Sequence, residues 1–319
     1  MRRFFDFVVL ATVVLGGAYL AYAHPAQVRH LMRAVHDTVA PCSSPITYSL
    51  GAIDPRFDLS TSTLIADLAR AEGIWEAESD KNLFEYVEKN GEVTVSFMYD
   101  ERQAATDKLA SLGIKIDESK ATYDSLKAKY DALSGSVQTE QRMYKSAVAE
   151  YEQREAAYNA DVKKWNDRGG APPAEYAKLT VRKQQLEDDL SSIRRMEERL
   201  NKNIDTLNAL ATTLNQLIVH LNLNVEQYNQ AGAKGGEFEE GLYELQNGVE
   251  TITIYEFSDT TKLVRVLAHE FGHALDLEHV EDEKAIMYEI NKGTALKATD
   301  ADIAELNAAC RIKSGETAI

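Results

Sequence analysis

Residues 269–279 read His269-Glu270-Phe271-Gly272-His273-Ala274-Leu275-Asp276-Leu277-Glu278-His279. Residues four apart share one face of a helix, so His269 and His273 direct two imidazoles at one point. Three nitrogen ligands with an open fourth position is the usual construction of a catalytic zinc site, and His279 supplies the third. Glu270, one residue past the first ligand, reaches a water at the metal instead of the metal itself, which makes it the expected general base. His279 adds a geometric condition. A straight helix rotates it by about 240° from His273, so the chain has to leave the helix near Asp276. Glycine makes that exit most easily in a left-handed conformation, and Asp is among the few other residues that tolerate it.

An HExxH alone is a weak signal, because a helix with a polar face shows it too. Here a third histidine follows, then Ala285-Ile286-Met287-Tyr288, and the strand-like alternation Thr251 to Phe257 (TITIYEF) precedes it. Leu263 to Leu275 reads as the helix that carries the motif. Of 7 histidines, three are in the motif, three stand at 24, 30 and 36, and His220 lies on a helical stretch as a solvated or seam residue. That leaves no spare cluster for a second, structural zinc.

HEFGHALDLEH followed by Met287 resembles the HExxHxxGxxH and methionine turn of the metzincins, and of their matrixin branch in particular. The interval from His279 to Met287 fits the matrixin spacing. The resemblance implies that Met287 forms a hydrophobic floor beneath the zinc and that Tyr288 stands in the wall of the specificity pocket. The one departure within the motif is Asp276, where the family has glycine; it bears on the turn and leaves the ligand set intact. The likeness is strongest over 249–290 and extends weakly over 45–100, where strand, helix and strand follow in matrixin order. Residues 299–310 (TDADIAELNAAC) look like the closing helix. Matrixin zymogens block the zinc with an upstream cysteine, but Ala40-Pro41-Cys42-Ser43-Ser44 lacks the rest of that motif.

The likeness stops at about residue 102. From there to 229 the chain is helix-forming and nearly free of proline. Leu179, Leu186, Ile193, Leu200, Leu207, Leu214, Leu221 and Tyr228 recur every seven residues, with Tyr176, Leu190, Ile204, Ile218 and Val225 three positions earlier. Tyr123, Tyr130, Val137, Tyr144, Tyr151, Tyr158 and Trp165 form a matching series in the first half. Such stripes are coiled-coil seams. Gly169-Gly170-Ala171-Pro172-Pro173 breaks the helix between them, and Gly113 and Gly135 are expected to kink or fray the first arm. The expectation is an antiparallel hairpin with arms of roughly 80–95 Å.

Before the hairpin, Ile46 to Leu50 reads as a strand. Ser60 is the expected N-cap of a helix facing inward with Leu64, Leu68, Ala71 and Trp75. Val93, Val95 and Phe97 alternate as a half-buried strand. Neither flank of the hairpin has enough strands for a domain, so the hairpin reads as an insertion. The expected fold is α+β: a metzincin-like zinc peptidase domain, with a twisted sheet and an active-site helix, interrupted by a long antiparallel α-helical coiled-coil hairpin. The expected organisation is an N-terminal segment 1–23, a linker 24–41, peptidase parts 42–101 and 231–319, and the insertion 102–230.

Met1-Arg2-Arg3 followed by the uncharged Phe7 to Ala23 reads as an export signal, with Ala21-Tyr22-Ala23 before a cleavage site. Cleavage and retention as an anchor (residues 4–23) both remain open, and either leaves the body extracytoplasmic, periplasmic or secreted. Cys42 and Cys310 are the 2 cysteines, and in an oxidising compartment they close one disulfide between the ends of the body. A net charge of −16 argues against nucleic acid as a partner and against adsorption to an anionic membrane, leaving the N-terminal segment as the only membrane contact. The expected function is an exported zinc (Zn2+) metalloendopeptidase acting on peptide or protein substrates, with a protein partner for the hairpin. The alternative is an extracytoplasmic coiled-coil scaffold with a vestigial or structural zinc site.

Overall fold

The computed structural model describes residues 28, 32, 33, 36, 39–79, 81–116, 119–221, 240–289, 291 and 293–312. The apolar segment 1–23 lies outside these residues, as do Val225, Tyr228 and the Gly232 to Gly236 stretch. No helix among the described residues is long and apolar enough to cross a membrane. Contacts divide the chain into two units. One comprises the chain up to residue 107 and from 235 onward, and the other comprises 108–234.

The first unit is built on five strands: β1 (Ile46–Ile53), β2 (Phe84–Tyr86), β3 (Val93–Phe97), β4 (Gly241–Gln246) and β5 (Val249–Ile254). Their order is β2-β1-β3-β5-β4. All neighbours are parallel except β4, which runs antiparallel to β5 at one edge. Val93, Val95, Phe97, Ile252 and Ile254 point into the core, as the alternation requires. Helix α1 (Thr61–Glu76) starts where Ser60 accepts the Thr63 N–H, and it buries Leu64, Leu68, Ala71 and Trp75. That face packs on the helix bearing the histidine motif, where the Trp75 indole donates to the Ala268 carbonyl at 2.8 Å.

β5 ends at Ile254, short of the expected Phe257. A helix α2 (Glu101–Ser111) takes over the backbone there: Gln103 accepts the Phe257 N–H at 2.9 Å and donates to its carbonyl at 3.2 Å. β2 is too short to show a period in sequence, and Glu76 secures its start by accepting the Leu83 and Phe84 N–H groups. The disulfide Cys42–Cys310 joins the chain ahead of β1 to the last helix. Arg33, in the expected linker, pairs with the buried Glu250 on β5 and with Glu92.

The second unit is a helical hairpin. Helix α3 (Lys120–Asn166) and helix α4 (Pro173–His220) are antiparallel, since Glu140, Arg154 and Asp161 meet Asn203, Asp189 and Arg182 in reverse order. Gly169 and Gly170 turn the chain with positive φ. Tyr123, Val137, Leu186, Ile193, Leu200 and Leu214 of the seven-residue series are buried between the arms.

Three details differ from the sequence reading. The first arm is shorter, because α2 stops at Ser111, Gly113 turns with φ +71°, and α3 begins only after Ser119 caps it. At 1.5 Å per residue each arm then runs about 70 Å. Gly135 leaves α3 unbroken. Tyr176 is 67% exposed instead of lying in the seam, because the register of the cross-arm pairs sets it opposite Asp167, just past the end of α3.

Candidate metal centre

Helix α5 (Thr260–Ala274) is capped by Asp259, which accepts the Thr261 and Lys262 N–H groups, and is buried along most of its length. Its end is a Schellman turn: Leu277 N–H bonds to Gly272 O and Asp276 N–H to His273 O, both at 3.0 Å. Asp276 sits at the pivot with φ +61°, the left-handed exit that bringing His279 back demands. The three histidines converge as a result. One ring nitrogen from each lies within 4.8 Å of the others, and His269 Nε2 and His279 Nε2 are 3.2 Å apart.

That spacing fits zinc. Tetrahedral nitrogens at ~2.0–2.1 Å from the metal stand roughly 3.3 Å from one another. The other ring nitrogens of His269 and His273 are occupied. His269 Nδ1 donates to Ile286 O at 2.7 Å and His273 Nδ1 to Leu277 O at 3.1 Å, which leaves Nε2 of each unprotonated for the metal. Burial pushes the His269 imidazole down from 6.5 to about 3, with repulsion from His273, His279 and Arg265 adding to it. Burial also lowers His273. Both rings are therefore neutral, the form that ligates.

Met287 is fully buried, and its sulfur approaches α5 where Gly272 has no side chain: a Cβ there would meet Met287 Sδ at 2.2 Å. Buried Asp302, on helix α6 (Asp300–Ala309), accepts the Ile286 N–H at 2.9 Å and the Met287 N–H at 2.8 Å. The carboxylate of Glu270 lies against β4, where a Cβ on Gly241 would be 2.7 Å from Glu270 Oε1. Sequence reasoning missed the roles of Gly241, Gly272, Arg265 and Asp302. Arg265, a charge amid Leu263-Val264-Arg265-Val266-Leu267, was the one visible signal. Cys42 is in the disulfide, so its sulfur is not a thiol available to the metal.

A mixed sheet flanked by a histidine-bearing helix, with a third histidine after a left-handed turn and a methionine beneath, defines a zinc metallopeptidase of the metzincin class. The matrixin family model matches residues 42–308, so the chain belongs to the matrixin family, whose members are zinc-dependent peptidases. No curated protein matches the chain.

Proposed function

We propose that this matrixin is an exported metalloendopeptidase in which His269, His273 and His279 hold zinc and Glu270 is the general base. When bound, the metal supplies the Lewis acidity that lowers the pKa of water and polarises a peptide carbonyl. Glu270 takes the proton from the attacking water and returns it to the departing amine nitrogen. The observation that carries the reading is the closeness of Glu270 to Gly241, at the start of edge strand β4. A substrate added as a further strand along β4 passes its backbone beside that carboxylate. Export is supported by the apolar N-terminal run in the sequence and by the Cys42–Cys310 disulfide, which persists in oxidising compartments. The hairpin serves as a docking arm for a protein partner or client.

Glu270→Ala tests the chemistry. The expected result is full zinc content with peptide cleavage reduced by about 10²–10⁴-fold. Equal cleavage by both proteins removes the mechanism and leaves a zinc-holding scaffold.

A further inference from the structure

The far end of the hairpin differs in charge from the rest of the chain. Residues 158–183 cover the glycine and proline breaker and the last turns of both arms. They hold six cations, Lys163, Lys164, Arg168, Lys178, Arg182 and Lys183, against three acids, while the whole chain carries −16. Charge at the base of the hairpin does not cancel this excess. The arms are about 70 Å long, many times the ~8 Å over which physiological salt screens a charge. Net charge, the ground for confining membrane contact to the N-terminal segment, therefore says nothing about this end.

The tip also presents apolar and aromatic groups. Gly169 to Ala174 carry no charge, and Pro172 and Pro173 are exposed. Tyr176 is 67% exposed and Val181 58%. Trp165 is half-buried at the end of α3, with the Lys164 ammonium and the Arg168 guanidinium each 5.6 Å from its ring centroid. Other cations of the tip pair with carboxylates: Lys163 with Asp167, Lys178 with Glu175 and Arg182 with Asp161. Surface pairs of this kind are weak, so another anion can take the carboxylate's place.

Tryptophan and tyrosine beside lysine and arginine are the groups that settle at the headgroup level of a bilayer, rings in the interface and cations on the phosphates. The end of a two-helix hairpin is narrow and offers a protein partner little area to bury, whereas a lipid surface adapts to it. We propose that the hairpin tip is a docking surface for an anionic phospholipid bilayer. Trp165 and Tyr176 enter the headgroup layer, and Lys164, Arg168 and the neighbouring cations hold lipid phosphates. The contact does not depend on the peptidase reading, and it leaves the flanks of the arms for a protein.

Trp165 itself reports on the contact, because the chain has 2 tryptophans and Trp75 is fully buried in the other unit. The full chain is mixed with vesicles of phosphatidylcholine alone or of equal parts phosphatidylcholine and phosphatidylglycerol, with and without brominated acyl chains. The N-terminal segment can meet both kinds of vesicle, so only a difference between them counts. In the mixed vesicles Trp165 emission should move to the blue and be quenched by the bromine, and high salt should reverse both. Lys164→Glu combined with Arg168→Glu should raise the lipid concentration for half the shift by about tenfold or more. Equal signals in the two kinds of vesicle overturn the proposal, as does a double variant that behaves as wild type. No signal in either kind also overturns it and leaves the tip to a protein partner. The same shift with inorganic phosphate alone would mark a site for free anions, and a shift that persists in Trp165→Phe would arise elsewhere; each overturns it too. If the double variant does not fold, the lipid and salt dependence of the wild type decides.

Discussion

The two units hold themselves together by opposite means. In the hairpin, one kind of contact repeats: an apolar or aromatic side chain every seven residues, with cross-arm pairs such as Arg182–Asp161 on the flanks. In the peptidase unit, single buried polar groups make contacts found once each, such as Asp302 on the methionine turn and Arg265 on the loop beyond it. Repetition spreads stability over replaceable parts. A metal centre concentrates it in a few groups, because three ring nitrogens must stay on one point.

The largest effect that this contrast implies comes from Asp302. Asp302→Ala leaves the buried Ile286 and Met287 N–H groups without their acceptor and should cost about 3–5 kcal/mol in urea unfolding of metal-free protein. It should also release zinc, because Ile286 holds His269. Leu200→Ala, at a buried seam position, should cost about 2 kcal/mol and leave zinc content at the wild-type value. If the two variants lose equal stability and both keep zinc, the contrast is wrong.

The same contrast explains what the sequence makes legible. A seven-residue repeat declares itself at every turn, so the arms and the seam residues Leu186, Ile193 and Leu200 are readable without a structure. The histidine motif is contiguous, so its convergence follows from helix geometry plus one turn at Asp276. Strand order is different. Placing β4 at the edge depends on pairing between residues far apart in the chain, and nothing local in Gly241–Gln246 announces it. The grip of Arg265 and the close approach of Gly241 to Glu270 are likewise long-range facts. Tyr176 was misplaced because periodicity continues past the point where the partner helix ends.

Acidification sharpens the comparison at a single group. Folded His269 titrates near 3 and the unfolded residue near its ordinary 6.5, so between these values the unfolded chain binds one more proton. Stability of metal-free protein must therefore fall as pH drops below about 6.5, by about 1.4 kcal/mol per pH unit from this group. The dependence levels off toward pH 3, where the folded ring also protonates. Urea midpoints at pH 7, 6 and 5 measure it, and His269→Gln should show a correspondingly smaller slope. Identical slopes in the two proteins would mean that burial does not hold the ring neutral.

The smallest effect tests whether the turn is merely tolerated. Asp276 occupies the left-handed pivot of the Schellman turn, where a side chain is strained and glycine is not. Against that relief stands the extra freedom glycine gives the unfolded chain, which subtracts a part of the gain. The net expectation for Asp276→Gly is a gain of about 0.5–1 kcal/mol, with zinc content and kcat/KM unchanged. The hairpin has its own glycine pivots at Gly169 and Gly170, so relief at residue 276 should not depend on it. A loss of stability in Asp276→Gly would show that the carboxylate makes a favourable interaction of its own, and the turn would then be held by its side chain as well as by its backbone.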